Sequence, residues 1–127
     1  MVMIPENLKY TESHEWVRIE NNEAVVGITD YAQSKLLDIV YVELPEIGKV
    51  VSKKERLGSL ESVKAVSDFY APLSGKVIKI NDEVQNSPEL VNKDPYGKGW
   101  LAVLEITQLE ELKEFLTPEQ YEQLLQK

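Results

Sequence analysis

The punctuation of this chain constrains its fold more than any other feature. Between residues 14 and 106, short β-rich runs alternate with turn signals, and each run is long enough for one strand only. "HEWVRIE" (14–20) alternates imperfectly, with Trp16, Arg18 and Glu20 on one face and Glu15, Val17 and Ile19 on the other. Asn21-Asn22 marks a turn and "EAVVGI" (23–28) returns, so a hairpin is expected. "TDYAQSKLLD" (29–38) changes period. Thr29 or Asp30 can cap a helix, and Ala32 and Leu36 lie four apart on one face, which predicts a short helix. "IVYVEL" (39–44) reads as a strand stopped by Pro45 and Gly48. "GKVV" (48–51) recurs as "GKVI" (75–78), an offset of 75 − 48 = 27 residues. One four-residue echo is weak evidence for a repeat, but it fits two similar β-arms packed as a sandwich or flattened barrel.

Beyond the second arm, "SPELVNKDPYGKGW" (87–100) holds two prolines and two glycines and reads as a long loop. "WLAVLEI" (100–106) predicts a closing strand. Thr107 with Glu110 reads as a capping box, followed by Leu109, Leu112 and Leu116 at helical spacing. Thr117, Pro118 and Gln120 restart a second helix, with proline at its first position. No linker separates these helices from the β-part, so residues 1–127 are expected to form one domain.

A chain of 127 residues suits a single core. Its net charge of -8 and pI near 4.7 argue against nucleic acid and against an anionic membrane surface, both of which select basic patches. The same charge favours partners with basic docking surfaces. There is no cysteine, which excludes disulfides and a thiol nucleophile, so any redox chemistry must come from an attached or bound group. A single histidine, His14, leaves no histidine cluster for zinc. No apolar run approaches the roughly 20 residues that span a bilayer, and the first ten residues lack a signal-peptide pattern. A soluble, cytoplasmic protein is expected.

Catalytic machinery is hard to assemble. A Ser-His-Asp arrangement would have to use His14, and no G-x-S-x-G stretch accompanies it. Neither a phosphate-binding loop nor a dinucleotide fingerprint occurs. With 22 acidic residues, any one carboxylate pair is uninformative. Attention falls instead on Lys64 in "LESVKAVSD" (60–68), set among small and β-branched neighbours. By composition alone it reads as an exposed strand lysine. The sharper reading is a lysine offered for acylation on a protruding turn, with small Ser62 and Ala65 beside it. No glycine or Asn-Gly marks a turn there, though a type I turn accepts most residues.

These residues carry a family resemblance. "ESVKAVSD" (61–68) resembles the lipoyl-attachment stretch of the glycine cleavage system H proteins. "YTESHEW" (10–16), "VGITDYAQ" (26–33), "IVYVELPEIG" (39–48), "APLSGKV" (71–77) and "NKDPYGKGW" (92–100) resemble that family's segments in the same order. The resemblance covers about residues 8–106. It implies a mainly β fold, a barrel-sandwich hybrid of two packed antiparallel sheets, with a short helix after the first hairpin and C-terminal helices. The lipoyl-type core would span about 24–106 and the helical segment 107–127.

By the same resemblance, Lys64 carries lipoate as an amide, and Glu61 and Gly75, at the family's offsets of three before and eleven after, serve recognition by the lipoate ligase or lipoyl/octanoyl transferase. The protein would be a carrier without catalysis of its own. It would take an aminomethyl group from glycine decarboxylase, present it to the aminomethyltransferase, and be reoxidised by dihydrolipoyl dehydrogenase. A monomer is expected. The loaded amine is a cation whose linkage water can cleave, so a water-excluding cleft is needed. The resemblance implies Ser13, Glu15 and Asp68 as its polar contacts and Ile28 and Leu36 as flanks of the arm.

The plainer readings are a strand-start role for Ser13 and Glu15, a solvent-facing strand position for Asp68, a structural hydrogen bond for His14, and packing for Trp16 and Trp100. The C-terminal helices would then pack on the sheet and solubilise its edge. A lipoylation intermediary that donates lipoate to other proteins would use the same Lys64. Biotinyl and 2-oxoacid dehydrogenase lipoyl domains are shorter, and biotin sites place Met where Val63 and Ala65 stand. One departure is visible: "LLD" (36–38) stands where the family commonly has Leu-Gly-Asp. Leu37 thus occupies a helix-end position that favours positive φ, at a cost of roughly 1 kcal/mol or more.

Overall fold

The computed structural model describes residues 2–126. Among the described residues, nine strands form two antiparallel sheets. In chain order the strands are β1 (Lys9–Tyr10), β2 (Glu15–Glu20), β3 (Glu23–Ile28), β4 (Ile39–Glu43), β5 (Val50–Val51), β6 (Arg56–Ser62), β7 (Val66–Tyr70), β8 (Gly75–Ile80) and β9 (Ala102–Ile106). The larger sheet has the order β1-β2-β3-β9-β8-β5 and the smaller β4-β6-β7. This is the sandwich that the strand pattern predicts. The echoing "GKVV" and "GKVI" runs turn out to be partners: Val50 pairs with Lys76 and Val51 with Gly75. Gly75 is required by packing. A Cβ there would lie 2.5 Å from the Glu105 carbonyl oxygen of the neighbouring strand.

The period of two along β2, β3 and β9 divides the larger sheet between two cores. Val17, Ala24, Val26 and Leu104 point inward and meet Val42, Leu60 and Phe69 of the smaller sheet. Trp16, Val25 and Val103 point the other way and are covered by Leu8, Tyr10 and Tyr121. Trp16 is fully buried, with its indole N–H donating to the Pro95 carbonyl at 2.9 Å. Gly27, opposite Trp16 in the register, leaves room for that ring; a Cβ would sit 2.5 Å from the indole nitrogen.

Helix α1 (Asp30–Leu36) begins at Thr29, whose hydroxyl accepts from Ala32 N, and Ala32 and Leu36 pack on the inter-sheet core. It ends at Leu37 with φ 64° and ψ −143°. The turn therefore keeps the geometry that suits glycine, and Leu37 tolerates the strain. Helix α4 (Pro118–Leu125) starts where the restart is expected, with Pro118 at its first turn, and the structure adds a capping box between Thr117 and Gln120.

Three expectations change. The 87–100 stretch is not all loop: it holds a helix α3 (Glu89–Lys93), and a further helix α2 (Asp82–Asn86) precedes it, capped by Asn81. Pro88 there starts a helix instead of breaking one. The Thr107–Glu110 capping box does not form; a 3-10 turn over Leu109–Glu114 follows Gln108 with no side-chain cap, and Glu111 instead accepts from Ser74. His14 lies outside the first strand because its φ is 73°. Among the described residues, no helix is long and apolar enough to cross a membrane.

Candidate functional site

Lys64 sits in the three-residue connection between β6 and β7, exposed to solvent. Among the described residues, no carboxylate approaches its ammonium within ion-pairing distance. Ser62 shapes this loop. Its buried hydroxyl accepts from Ala65 N at 3.1 Å and Lys64 N at 3.4 Å and lies 3.2 Å from the Ala65 carbonyl, which Ser62 N also meets at 2.8 Å. A serine side chain thus does the work that glycine does in other tight turns.

The shank of the same hairpin forms one wall of a cleft of about 160 Å³. Leu60, Ser67, Asp68 and Phe69 line it from β6 and β7, and Ile28, Ala32 and Leu36 face them from the end of β3 and from α1. Ser13, His14 and Glu15 close the floor. All five residues expected around the arm, Ser13, Glu15, Ile28, Leu36 and Asp68, therefore line a single cleft. Asp68 lies four residues along the strand from Lys64, about 13 Å at strand rise. A bare lysine side chain does not cover that distance, whereas a lysine lengthened by an acyl chain does. A second, larger groove of about 490 Å³ lies on the far side of Ser13 and Glu15, towards Lys53 and Phe115. It holds neither the α1 wall nor Asp68, so the smaller cleft is the better candidate.

Glu15 is 1% exposed. One carboxylate oxygen accepts from Thr11 Oγ1 and Ser13 Oγ, both at 2.6 Å, and the other accepts from Tyr70 N at 3.2 Å. Burial pushes its pKa up, and these three donors oppose the shift. Ser13 spends its proton on Glu15 and keeps lone pairs for a further donor. Asp68 is paired with Arg56 Nε at 3.1 Å, and Arg56 also binds Glu43, whose carboxyl it holds below the usual range. The pairing leaves Asp68 an acceptor oxygen beside the cleft. Lys35, 5.3 Å from the centre of the Tyr31 ring, is the cation on the α1 wall.

The remaining expected residues lie elsewhere. Glu61 is exposed on β6, paired with Tyr41 and Val66. Gly75 is buried in the larger sheet. His14 makes a structural hydrogen bond to Tyr121. Among the described residues, no group of His, Asp and Glu is placed to hold a metal ion. Sequence reasoning missed Thr11, Lys35 and the backbone amide of Tyr70, and it read Ser62 only as a small neighbour of Lys64. The threonine and the serine have a visible signal, since each stands within two residues of an expected functional residue.

The family model of the glycine cleavage H-protein matches residues 8–127. The chain belongs to this family. A glycine cleavage system H protein from Carboxydothermus hydrogenoformans is 52% identical over 126 residues, covering 99% of this chain and 97% of the relative. One from Anoxybacillus flavithermus is 53% identical over 122 residues, with 96% of each chain covered. The crystal structure of a glycine cleavage system H protein from Mycobacterium marinum superimposes with a TM-score of 0.83 at 37% identity, covering 93% of this chain and 95% of that one. Membership in the glycine cleavage H-protein family makes the chain a carrier component of the glycine cleavage system.

Proposed function

We propose that Lys64 bears lipoate in amide linkage, and that the chain acts as a shuttle and not as an enzyme. The observation that carries this reading is the placement of Lys64 at the tip of the hairpin whose shank lines the cleft. Lipoate supplies the dithiol chemistry that a chain without cysteine lacks. The donor set fits such a group. Ile28, Leu36, Leu60 and Phe69 offer apolar contact, worth roughly 0.8 kcal/mol per buried methylene. Glu15, Ser13 and Asp68 accept hydrogen bonds from a cationic amine, each charge-assisted bond contributing about 1.5–3 kcal/mol. The sum holds an arm in place and still permits release to a partner.

In this reading the cargo is the aminomethyl group, received from glycine decarboxylase and handed to the aminomethyltransferase, with dihydrolipoyl dehydrogenase restoring the disulfide. The residues of this chain bind, orient and keep water away. Glu61 serves the attaching ligase or transferase directly from an exposed face, and Gly75 serves it by holding the sheet register. Residues 1–127 act as one cytoplasmic, monomeric lipoyl-carrier domain, with the β-core at about 24–106 and the helical segment 107–127. The test is intact-mass spectrometry of protein from cells with active lipoylation. One lipoyl amide is expected, absent from Lys64→Ala; an unmodified Lys64 defeats the reading.

A further inference from the structure

The C-terminal helix reaches the cleft floor through one buried hydroxyl. Tyr121, fully buried, lies 2.8 Å from His14 Nδ1 and 2.7 Å from Thr29 Oγ1. Its ring stacks on Tyr10, with centroids 4.8 Å apart and planes 7° from parallel. His14 adjoins Glu15 on the floor, and Thr29 caps α1, which supplies the opposite wall. Tyr121 therefore ties two walls of the cleft together from a third element.

Proton counting fixes the direction of this chain. Thr29 Oγ1 already accepts from Ala32 N. If Thr29 donates to Tyr121, the tyrosine proton is left for His14 Nδ1, and all three groups are satisfied. In the reverse arrangement, Nδ1–H donates to the tyrosine, the tyrosine donates to Thr29, and the buried threonine proton has no acceptor among the described residues. The satisfied arrangement leaves His14 neutral, with its proton on Nε2. Burial lowers the pKa of His14 in the same sense. The charged groups that line the cleft with His14 are Glu15 next to it in the chain, Lys35 on α1 and Asp68 on β7, and the Tyr31 ring lies tilted against the imidazole with centroids 4.8 Å apart. A neutral His14 keeps a further positive charge out of a cleft that must accept a cation.

We propose that Tyr121 is a positioning residue for the arm cleft, holding His14 as its neutral Nε2–H tautomer and anchoring the start of α1. This rests on the reading that the cleft protects the loaded amine. The chain has a single histidine, so its ring nitrogens report without overlap in a long-range ¹⁵N–¹H correlation spectrum. In the lipoylated wild type, Nδ1 is expected unprotonated, with the upfield shift that an accepted hydrogen bond gives. Tyr121→Phe keeps the ring stack and is expected to lose that shift. With both hydrogen bonds of the hydroxyl lost, it should also shorten the lifetime of the aminomethyl-loaded protein about fivefold. Leu124→Ala in the same helix lowers stability but keeps the hydroxyl, and is expected to leave both the shift and the lifetime unchanged. An unaltered Nδ1 resonance in Tyr121→Phe overturns the proposal, as does equal shortening in Leu124→Ala. Glu15→Ala separates the two levels: an unchanged lifetime there removes the cleft reading, and the proposal with it, whatever the resonance shows.

Discussion

Two side chains carry opposite kinds of cost. Leu37 holds φ 64° and ψ −143°, a region that L-residues occupy at a cost of about 1–3 kcal/mol, while its side chain stays 52% exposed. Little packing is lost if the side chain is removed. Leu37→Gly is expected to stabilise the fold by about 1 kcal/mol, after allowance for the unfolded-state entropy of glycine. Calorimetry should show the midpoint rising by about 3 to 5 °C. Glu15 bears the cost of burial. Its pKa is raised in the folded protein, so on mild acidification the folded state binds this proton before the unfolded chain does. The group therefore favours the folded state increasingly as pH falls towards the ordinary carboxylate range, and loses that contribution as pH rises through its folded pKa. The consequence for the site has the opposite sign. A protonated Glu15 no longer offers an anion to the amine, so protection of the loaded arm should fall as the pH drops through the Glu15 titration of the loaded protein. Following the loaded-arm lifetime against pH, alongside the ¹³C titration of the Glu15 carboxyl, checks this; the two midpoints should coincide.

At the level of elements, the β6–β7 hairpin joins Lys64, the proposed attachment point, to the cleft, and Ser62 organises its tip. Ser62→Ala removes an acceptor from two loop amides and is expected to destabilise the protein by about 1–2 kcal/mol. Amide exchange at Lys64 and Ala65 should accelerate while the shank at Leu60 and Phe69 stays protected. Much of this element scale was legible in the chain. The first hairpin, α1 with its Thr29 cap, and α4 with Pro118 at its start follow from local chemistry, where period and cap act within a few residues. The hairpin tip did not, because a serine side chain replaces the glycine signal there. Helix α3 was hidden because Pro88 and the glycines after it read as punctuation, although proline suits a helix start. Asn81 followed by Asp82 and Glu83 carries a cap signal for α2 that went unread. The tie from Tyr121 to His14 spans 107 residues and has no local signature at all.

For the whole molecule, charge sets how partners are met. A net charge of -8 on a component of the glycine cleavage system favours encounter with basic surfaces on its partner components. The apparent KM for the lipoylated protein in each partner reaction is expected to rise with ionic strength between 50 and 200 mM, concentrations chosen to shorten the Debye length through about 10 Å. An unchanged KM across that range would mean that apolar contact dominates docking.

The pinned loop at Lys64 bears on how such a carrier searches for its partners. Its amides are held by Ser62 and its base is a paired hairpin, so the anchor is a fixed post. A lipoyl group carried on Lys64, as proposed, would then sweep only the shell that its own rotatable bonds reach. In that reading, delivery between active sites would come from tumbling and translation of the entire body, so throughput would scale with carrier concentration and not with any bending of the protein.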